Sequence, residues 1–136
     1  MPDRYQLIYL SHLAPEETAD CVSQIVRTAR QRNPALGVGG LLIFDGGRFC
    51  QYIEGGAEIV GTLAEQIRMD TRHVNFQVLY QSHFAGPYLL AERGLEYALC
   101  YDDCLDRFED VFDASAIALL HDLRPRLDME PKRQTA

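Results

Sequence analysis

The order of apolar patterns along this chain predicts an α+β fold, β-α-β-β-α-β-β, in which an antiparallel or mixed sheet carries two helices on one face. Three observations predict it. Short runs rich in branched and aromatic residues are interleaved with two segments whose apolar residues recur at helical spacing. Asp45-Gly46-Gly47 offers the positive-φ positions of a tight hairpin between two of those runs. The chain has 136 residues, 47% apolar and 24% charged, which suits one soluble globular domain with its own core.

Residues 4–11 (Arg-Tyr-Gln-Leu-Ile-Tyr-Leu-Ser) read as the first strand. Pro15 is tolerated at a first helical position, and Glu16 and Glu17 suit the positive end of the dipole, so a helix is expected to open there. Val22, Ile25, Val26 and Ala29 give its apolar stripe. Pro34 disfavours helical geometry in the residue before it, which places the helix end at Asn33. Residues 37–44 are a continuous apolar run fit for a central strand, and residues 48–55 follow the hairpin turn as the next. A second helix over residues 57–69 sets Val60, Leu63 and Ile67 on one side. Residues 76–84 read as a fourth strand, ended by Ala85-Gly86-Pro87, and residues 95–101 as a fifth. The chain then turns acidic. The organisation expected is a sheet-and-helix domain over 1–103, an extension over 104–127 with a short helix at 114–123 on the sheet's other face, and a frayed tail over 128–136.

The net charge of −7 argues against general nucleic-acid binding, which needs a basic footprint. No apolar run reaches the ~18 residues of a membrane span, and Met-Pro-Asp-Arg-Tyr lacks a signal peptide's apolar region. A cytoplasmic protein without direct nucleic-acid or membrane contacts is therefore expected. Cys21, Cys50, Cys100 and Cys104 show no Cys-x-x-Cys spacing and no following His at ligand distance, so they read as small buried hydrophobes and not as metal ligands. Gly37-Val-Gly-Gly40 lies inside a strand and does not open a helix, which excludes a nucleotide cradle and favours close backbone approach. His12, His73, His83 and His121 are scattered without a nucleophile partner, and Arg72-His73 reads as a solvated helix cap. No enzyme motif is present.

Within residues 48–55, Phe49, Gln51 and Ile53 share one strand face, and Cys50, Tyr52 and Glu54 the other. Period alone leaves both orientations open. If the Phe/Ile face is inward, the Gln51 amide must meet a polar partner, since burying it unpaired costs about 1–3 kcal/mol. Tyr9 shares a face with Leu7, and Asn33 stands at the end of the first helix, from which its amide can reach the same layer. Three neutral hydrogen-bonding groups in an apolar layer suit a planar ligand with a donor and acceptor edge.

The segments Tyr5-Gln-Leu-Ile-Tyr9-Leu-Ser11, Ala29-Arg-Gln-Arg-Asn33-Pro-Ala-Leu-Gly37-Val-Gly-Gly-Leu-Leu42, Gly47-Arg-Phe-Cys-Gln51-Tyr-Ile-Glu54-Gly55 and Asp70-Thr-Arg72-His73 occur in one order and spacing. Through them residues 4–101 resemble the BLUF domains, bacterial sensors of blue light using flavin. The resemblance implies a ferredoxin-like sheet with the isoalloxazine ring of FAD or FMN held non-covalently between the two helices. It implies that Tyr9 is the electron-donating tyrosine, Gln51 the switching glutamine and Asn33 the contact to the flavin's pyrimidine end. Arg72, Arg32, Ile53 and His73 would stand around the same pocket. Light would rearrange the Tyr/Gln hydrogen bonds with no net reaction, so a non-enzymatic photoreceptor is expected, signalling to a separate regulatory protein or through a homo-oligomer.

The chain also departs from that pattern. Gly39 stands where the family usually has Thr. There is no tryptophan, and aligning Arg93-Gly-Leu-Glu-Tyr-Ala98-Leu-Cys100 with the family's last strand puts Ala98 and Cys100 where a Trp and a Met transmit the signal. That register needs about six inserted residues around 85–90. Two rivals follow: a module of the same fold that binds no flavin, and, with less support, a small flavin-dependent enzyme.

Overall fold

Asp45 organises the central hairpin. Its Oδ1 accepts from the backbone N–H of Gly47 (3.0 Å) and Arg48 (2.6 Å), and Gly46 takes the positive φ (99°) that the turn requires. The structure, a computed structural model, describes residues 3–90, 94–101 and 103–130. Among the described residues, Tyr5–Leu13 (β1), Gly39–Phe44 (β2), Arg48–Gly55 (β3), His73–His83 (β4), Gly94–Leu99 (β5) and Asp128–Met129 (β6) form one sheet in the order β4-β1-β3-β2-β5-β6. Only the β2–β5 pairing is parallel, so the sheet is mixed. Asp20–Leu36 (α1) and Ala57–Met69 (α2) lie on one face, and Ser115–Leu123 (α3) on the other. The predicted α+β layer order therefore holds, with a sixth short strand added.

Period-2 alternation divides the core in two. Leu7, Tyr9, Leu42, Phe49 and Ile53 pack under Val22, Val26, Ala29, Val60 and Leu63 of the two helices. Ile8, Leu10, Leu41, Ile43, Cys50 and Tyr52 pack on the opposite side against Leu105, Phe108, Ala116 and Leu120. All six residues of β2 are buried, because both faces of that strand are covered. Gln51 thus points to the helix-covered side, which settles the orientation that period left open.

Several boundaries differ from the sequence reading. Pro15 and its acidic neighbours build a turn (Glu17 N to Ala14 O, 2.9 Å), and α1 starts only at Asp20. The helix also runs through Pro34 to Leu36. Gly37 in the left-handed region (φ 69°) supplies the cap, its N–H reaching Pro34 O while Val38 N–H reaches Asn33 O. Those bonds and the burial of Asn33 outweigh the pre-proline preference. Asp3 Oδ2 accepts from Ala57 N–H (2.9 Å) at the start of α2. β4 begins at His73 rather than residue 76. Asp128 and Met129 are not frayed: they pair with Leu99 and Ala98 as β6. Residues 131–136 of the expected tail lie outside the described residues. Cys100 and Cys104 are joined as a disulfide, so two of the four cysteines are not free thiols. None of the described helices is long and apolar enough to cross a membrane.

Glu54 is fully buried on the lower face and holds the connection between β4 and β5. Its carboxylate accepts from the backbone N–H of Leu89 and Leu90 (both 2.8 Å) and from Tyr52 Oη (2.9 Å). Glu54→Ala removes that acceptor from the buried Leu90 amide and the part-buried Leu89 amide, where a lost hydrogen bond costs about 1–3 kcal/mol. A loss of about 2–4 kcal/mol in urea unfolding is expected, with Glu54→Gln costing less; a loss near zero for the alanine variant would show that the connection is held by other contacts.

Candidate functional site

The antiparallel register of β1 and β3 sets Tyr9 directly opposite Gln51, and that of β2 and β3 sets Leu42 opposite Gln51 on its other flank. Inside the helix-covered layer, Tyr9 Oη donates to Gln51 Oε1 at 2.6 Å. Tyr9 is 1% exposed, and burial pushes its phenol far above the ordinary range; nearby Cys50 adds to the shift and Arg32 opposes it. The ring of Phe76 stacks on Tyr9 at 4.6 Å between centroids, and His73 meets it edge-on at 6.2 Å.

Gly40 of β2 faces the amide pair. A Cβ there would lie 3.1 Å from Leu95 Cδ1, 3.2 Å from Gln51 Nε2 and 3.4 Å from Asn33 Nδ2. The close backbone approach inferred from the glycine run is therefore real, and it brings two amide groups together over one strand. Asn33, fully buried at the end of α1, donates from Nδ2 to Gly94 O (3.1 Å) and accepts at Oδ1 from Arg32 Nε (3.2 Å). Gln51 Nε2 donates to none of the described residues, which leaves both N–H donors of the amide open towards the cleft.

The cleft between α1 and α2 is lined by Tyr9, Gln51, Arg32, Arg72, His73 and Asp70 together with Ile25, Thr28, Ala29, Leu42, Ile67 and Leu95. Arg72 is held on its wall by Asp70, with Nε to Oδ1 at 3.0 Å and Nη2 to Oδ2 at 2.6 Å. That pair raises the arginine and depresses the carboxyl. His73 is not a solvated cap. It is buried, its Nδ1 lies 2.9 Å from Ser11 Oγ, and burial lowers its pKa from 6.5. Of the sequence-predicted set, Tyr9, Gln51, Arg32, Arg72 and His73 meet on this wall, and Asn33 joins through Gly40. Ile53 is fully buried in the core beneath the helices and is not on the cleft wall.

Ala98 and Cys100, the output pair that the resemblance suggested, do not share the face of Gln51. β5 runs parallel to β2 with Gly39 beside Gly94, Gly40 beside Leu95 and Leu42 beside Tyr97. Leu95 and Tyr97 therefore share the face of Gln51, while Ala98 and Cys100 turn to the opposite core. A shift of one residue in strand register reverses every side chain, so the face of each β5 residue follows from its pairing with β2. The faces of Leu95 and Tyr97 follow from the parallel pairing of β5 with β2, which no local pattern announces; Asp70, Ile25, Thr28 and Ile67 had no signal beyond helix periodicity and turn chemistry.

A family model described as BLUF, sensors of blue-light using FAD, matches residues 5–87. The chain belongs to this family. The blue light- and temperature-regulated antirepressor BluF of Escherichia coli (strain K12) is 32% identical over 108 residues, which are 79% of this chain and 26% of that protein. The photoactivated adenylate cyclase subunit beta of Euglena longa is 32% identical over 76 residues, 56% of this chain and 9% of that one. This chain thus spans well under two thirds of either relative. Among solved structures, Klebsiella pneumoniae BlrP1 with FMN and cyclic diGMP is 25% identical, with a TM-score of 0.66 over 79% of this chain and 30% of that one. The ground state of BlsA is 20% identical, with a TM-score of 0.72 over 97% of this chain and 94% of that one, and shows the shared fold alone.

As a BLUF domain the chain belongs with the flavin-using sensors of blue light. Its polar groups fit a flavin. The unengaged Gln51 Nε2, the Asn33 amide and the Arg32 guanidinium offer neutral and cationic donors to a ring edge of carbonyls and imide, and Ile25, Ile67, Leu42 and Leu95 offer flat apolar contact. The cleft itself measures about 40 Å³, far below the ~300–1,000 Å³ of ligand pockets, so seating the ring requires side chains of α1 and α2 to part.

His73 makes stability depend on pH. Its folded pKa lies below 6.5, so the unfolded chain binds the proton more readily; the native state keeps its full stability above 6.5 and loses it as pH falls through the folded value. Each unit of depression corresponds to about 1.4 kcal/mol. Between pH 7 and 5, the wild type should lose more unfolding free energy than His73→Gln, and parallel curves for the two proteins would contradict a buried neutral ring.

Proposed function

We propose that Tyr9 and Gln51 are the photoactive pair of this BLUF domain, and that Asn33, Arg32, Arg72 and His73 hold and surround FAD or FMN. The 2.6 Å bond between a buried phenol and a buried amide carries this reading. When bound, the flavin supplies blue-light absorption and, once excited, a strong pull on a neighbouring electron. Tyr9 is suited to yield it. Burial keeps the residue as a neutral phenol, and electron loss acidifies that phenol, so its proton has a direct path to Gln51 Oε1. An amide that accepts a proton at oxygen can rotate or tautomerise, which exchanges its donor and acceptor ends. Tyr9 and the ligand edge then meet different atoms of the same side chain, with no net reaction.

Gln51 lies opposite Leu42, and Leu42 lies beside Tyr97 on β5. Leu95 and Tyr97 are therefore our candidates for reading the amide, in place of Ala98 and Cys100. Downstream we propose a regulatory protein partner, with a homo-oligomer as the alternative carrier of the signal; the Escherichia coli relative is named an antirepressor. A cytoplasmic location fits the composition and the acidic surface.

Purified protein, reconstituted with FAD if necessary, should be yellow, and blue light should move its absorption reversibly to longer wavelength. Gln51→Ala should keep the colour and lose the shift. Tyr9→Phe should lose the native photocycle and, by stranding Gln51 Oε1, about 1–3 kcal/mol of stability. A colourless protein that takes up no flavin would overturn the reading in favour of a non-binding module, and a normal photocycle in Gln51→Ala would remove the amide from the mechanism.

A further inference from the structure

Cys100 follows β5 directly, and its backbone N–H donates to Phe44 O of β2 at 3.1 Å. Cys104 lies in the turn leading to the short 3-10 segment Asp106–Phe108, which Leu105 and Phe108 anchor in the lower core. From that turn Asp106 (2.6 Å) and Glu109 (3.1 Å) reach Arg48 at the start of β3. The Cys100–Cys104 bond therefore ties the end of β5 to a segment that is itself fastened to the strand of Gln51.

As a staple the bond is weak, because the two cysteines are only four residues apart and short rings remove the least chain entropy. It is also reachable. Cys104 is half-buried, and both cysteines stand on the wall of a cleft of about 750 Å³ that also holds Asp103, Asp106, Arg107, Asp122 and Arg126. Carboxylates and guanidinia in one cleft match a small zwitterion that carries both charges. The free Cys21 and Cys50 are sealed in the two cores.

We propose that Cys100 and Cys104 are a reversible redox site, exchanging in this cleft with a low-molecular-weight zwitterionic thiol of the glutathione class, and that reduction releases the Asp106–Phe108 turn from the end of β5. The external thiolate attacks Cys104 Sγ and forms a mixed disulfide, while Cys100 leaves as a thiolate and takes a proton from water. A second external thiol attacks the outer sulfur of the mixed disulfide. Cys104 leaves and is protonated, and the two external thiols end as their own disulfide. Two electrons pass to the protein; oxidation by the external disulfide is the reverse.

The test uses the full chain, equilibrated in glutathione buffers from oxidised to reduced, quenched in acid, unfolded and alkylated with a polyethylene-glycol maleimide. Of the four cysteines, four labels are expected in reducing buffer and two in oxidising buffer, with a reversible transition between them. The Cys100→Ser/Cys104→Ser double variant should carry two labels throughout, and peptide mass mapping of the wild type assigns the lost thiols without relying on that variant. A constant four or a constant two in wild type overturns the proposal, as does a transition that survives in the double variant. Hydrogen exchange at the Phe108 and Glu109 amides, which bond to Leu105 O and Asp106 O, should quicken on reduction. Unchanged exchange overturns the release of the turn.

Discussion

A glutamine amide buried in an apolar layer sets the terms for the rest of this molecule. Gln51 is 4% exposed, and the cost of leaving such a group unpaired exceeds what its own strand can repay. Tyr9 meets it because the antiparallel register of β1 and β3 puts the two opposite each other, and a slip of one residue would send both to the other core. Register is therefore as much a part of the site as the side chains are. It is fixed by the Asp45 turn on one side and by two differently packed faces on the other, so neither strand can slide without burying the wrong set. Gly40 completes the arrangement by leaving room over β2 for two amides and Leu95.

β5 shows how one strand can serve two surfaces. Leu95 and Tyr97 stand with Gln51 under the helices, and Ala98 and Cys100 stand over the lower core with Leu105 and Phe108. A large aromatic at position 98 would have to fit a fully buried site beside Ile43. Alanine is what that packing admits, which explains why the strand lacks bulk there without implying a loosened flavin side. The departures at Ala98 and Cys100 are thus lower-face residues, and the face of Gln51 carries a leucine and a tyrosine.

The layer order, the hairpin and α2 were legible because each rests on local periodicity or on turn chemistry close in sequence, whereas period left the face of Gln51 open and only the family resemblance put it with Tyr9 and Asn33. What escaped depends on partners far along the chain. α1 passes Pro34 because Asn33 is buried and bonded to Gly94, and no window around Pro34 contains Gly94. His73 looked like a helix cap until β4 paired with β1 and brought Ser11 to its ring. The register of β5 depends on a parallel pairing, which carries no turn to announce it. Cys100 and Cys104 lack the spacing of a familiar motif, and only the sharp return of the chain after β5 brings them together.

Arg48 joins the two halves of this account. It begins the strand that carries Gln51, and it binds Asp45 of the hairpin at 2.8 Å as well as Asp106 and Glu109 of the segment beyond Cys104. Burial opposes its charge, yet the hydrogen bonds it donates to Asp106, Glu109 and Asp45 raise its pKa above the usual arginine value, so the cation is held more firmly than in water. Three carboxylates around one guanidinium also repel each other once it is gone, so the turn and the segment are fastened by the same charge. β3 alternates its side chains between the faces, and Arg48 lies three residues before Gln51 on the other set. A strand with the buried Gln51 amide on one face and this ionic fastening on the other cannot shift its pleat without both faces registering it. The lower face is therefore coupled through β3 to the face of Gln51, although the cleft that Tyr9 and Gln51 line lies above the sheet.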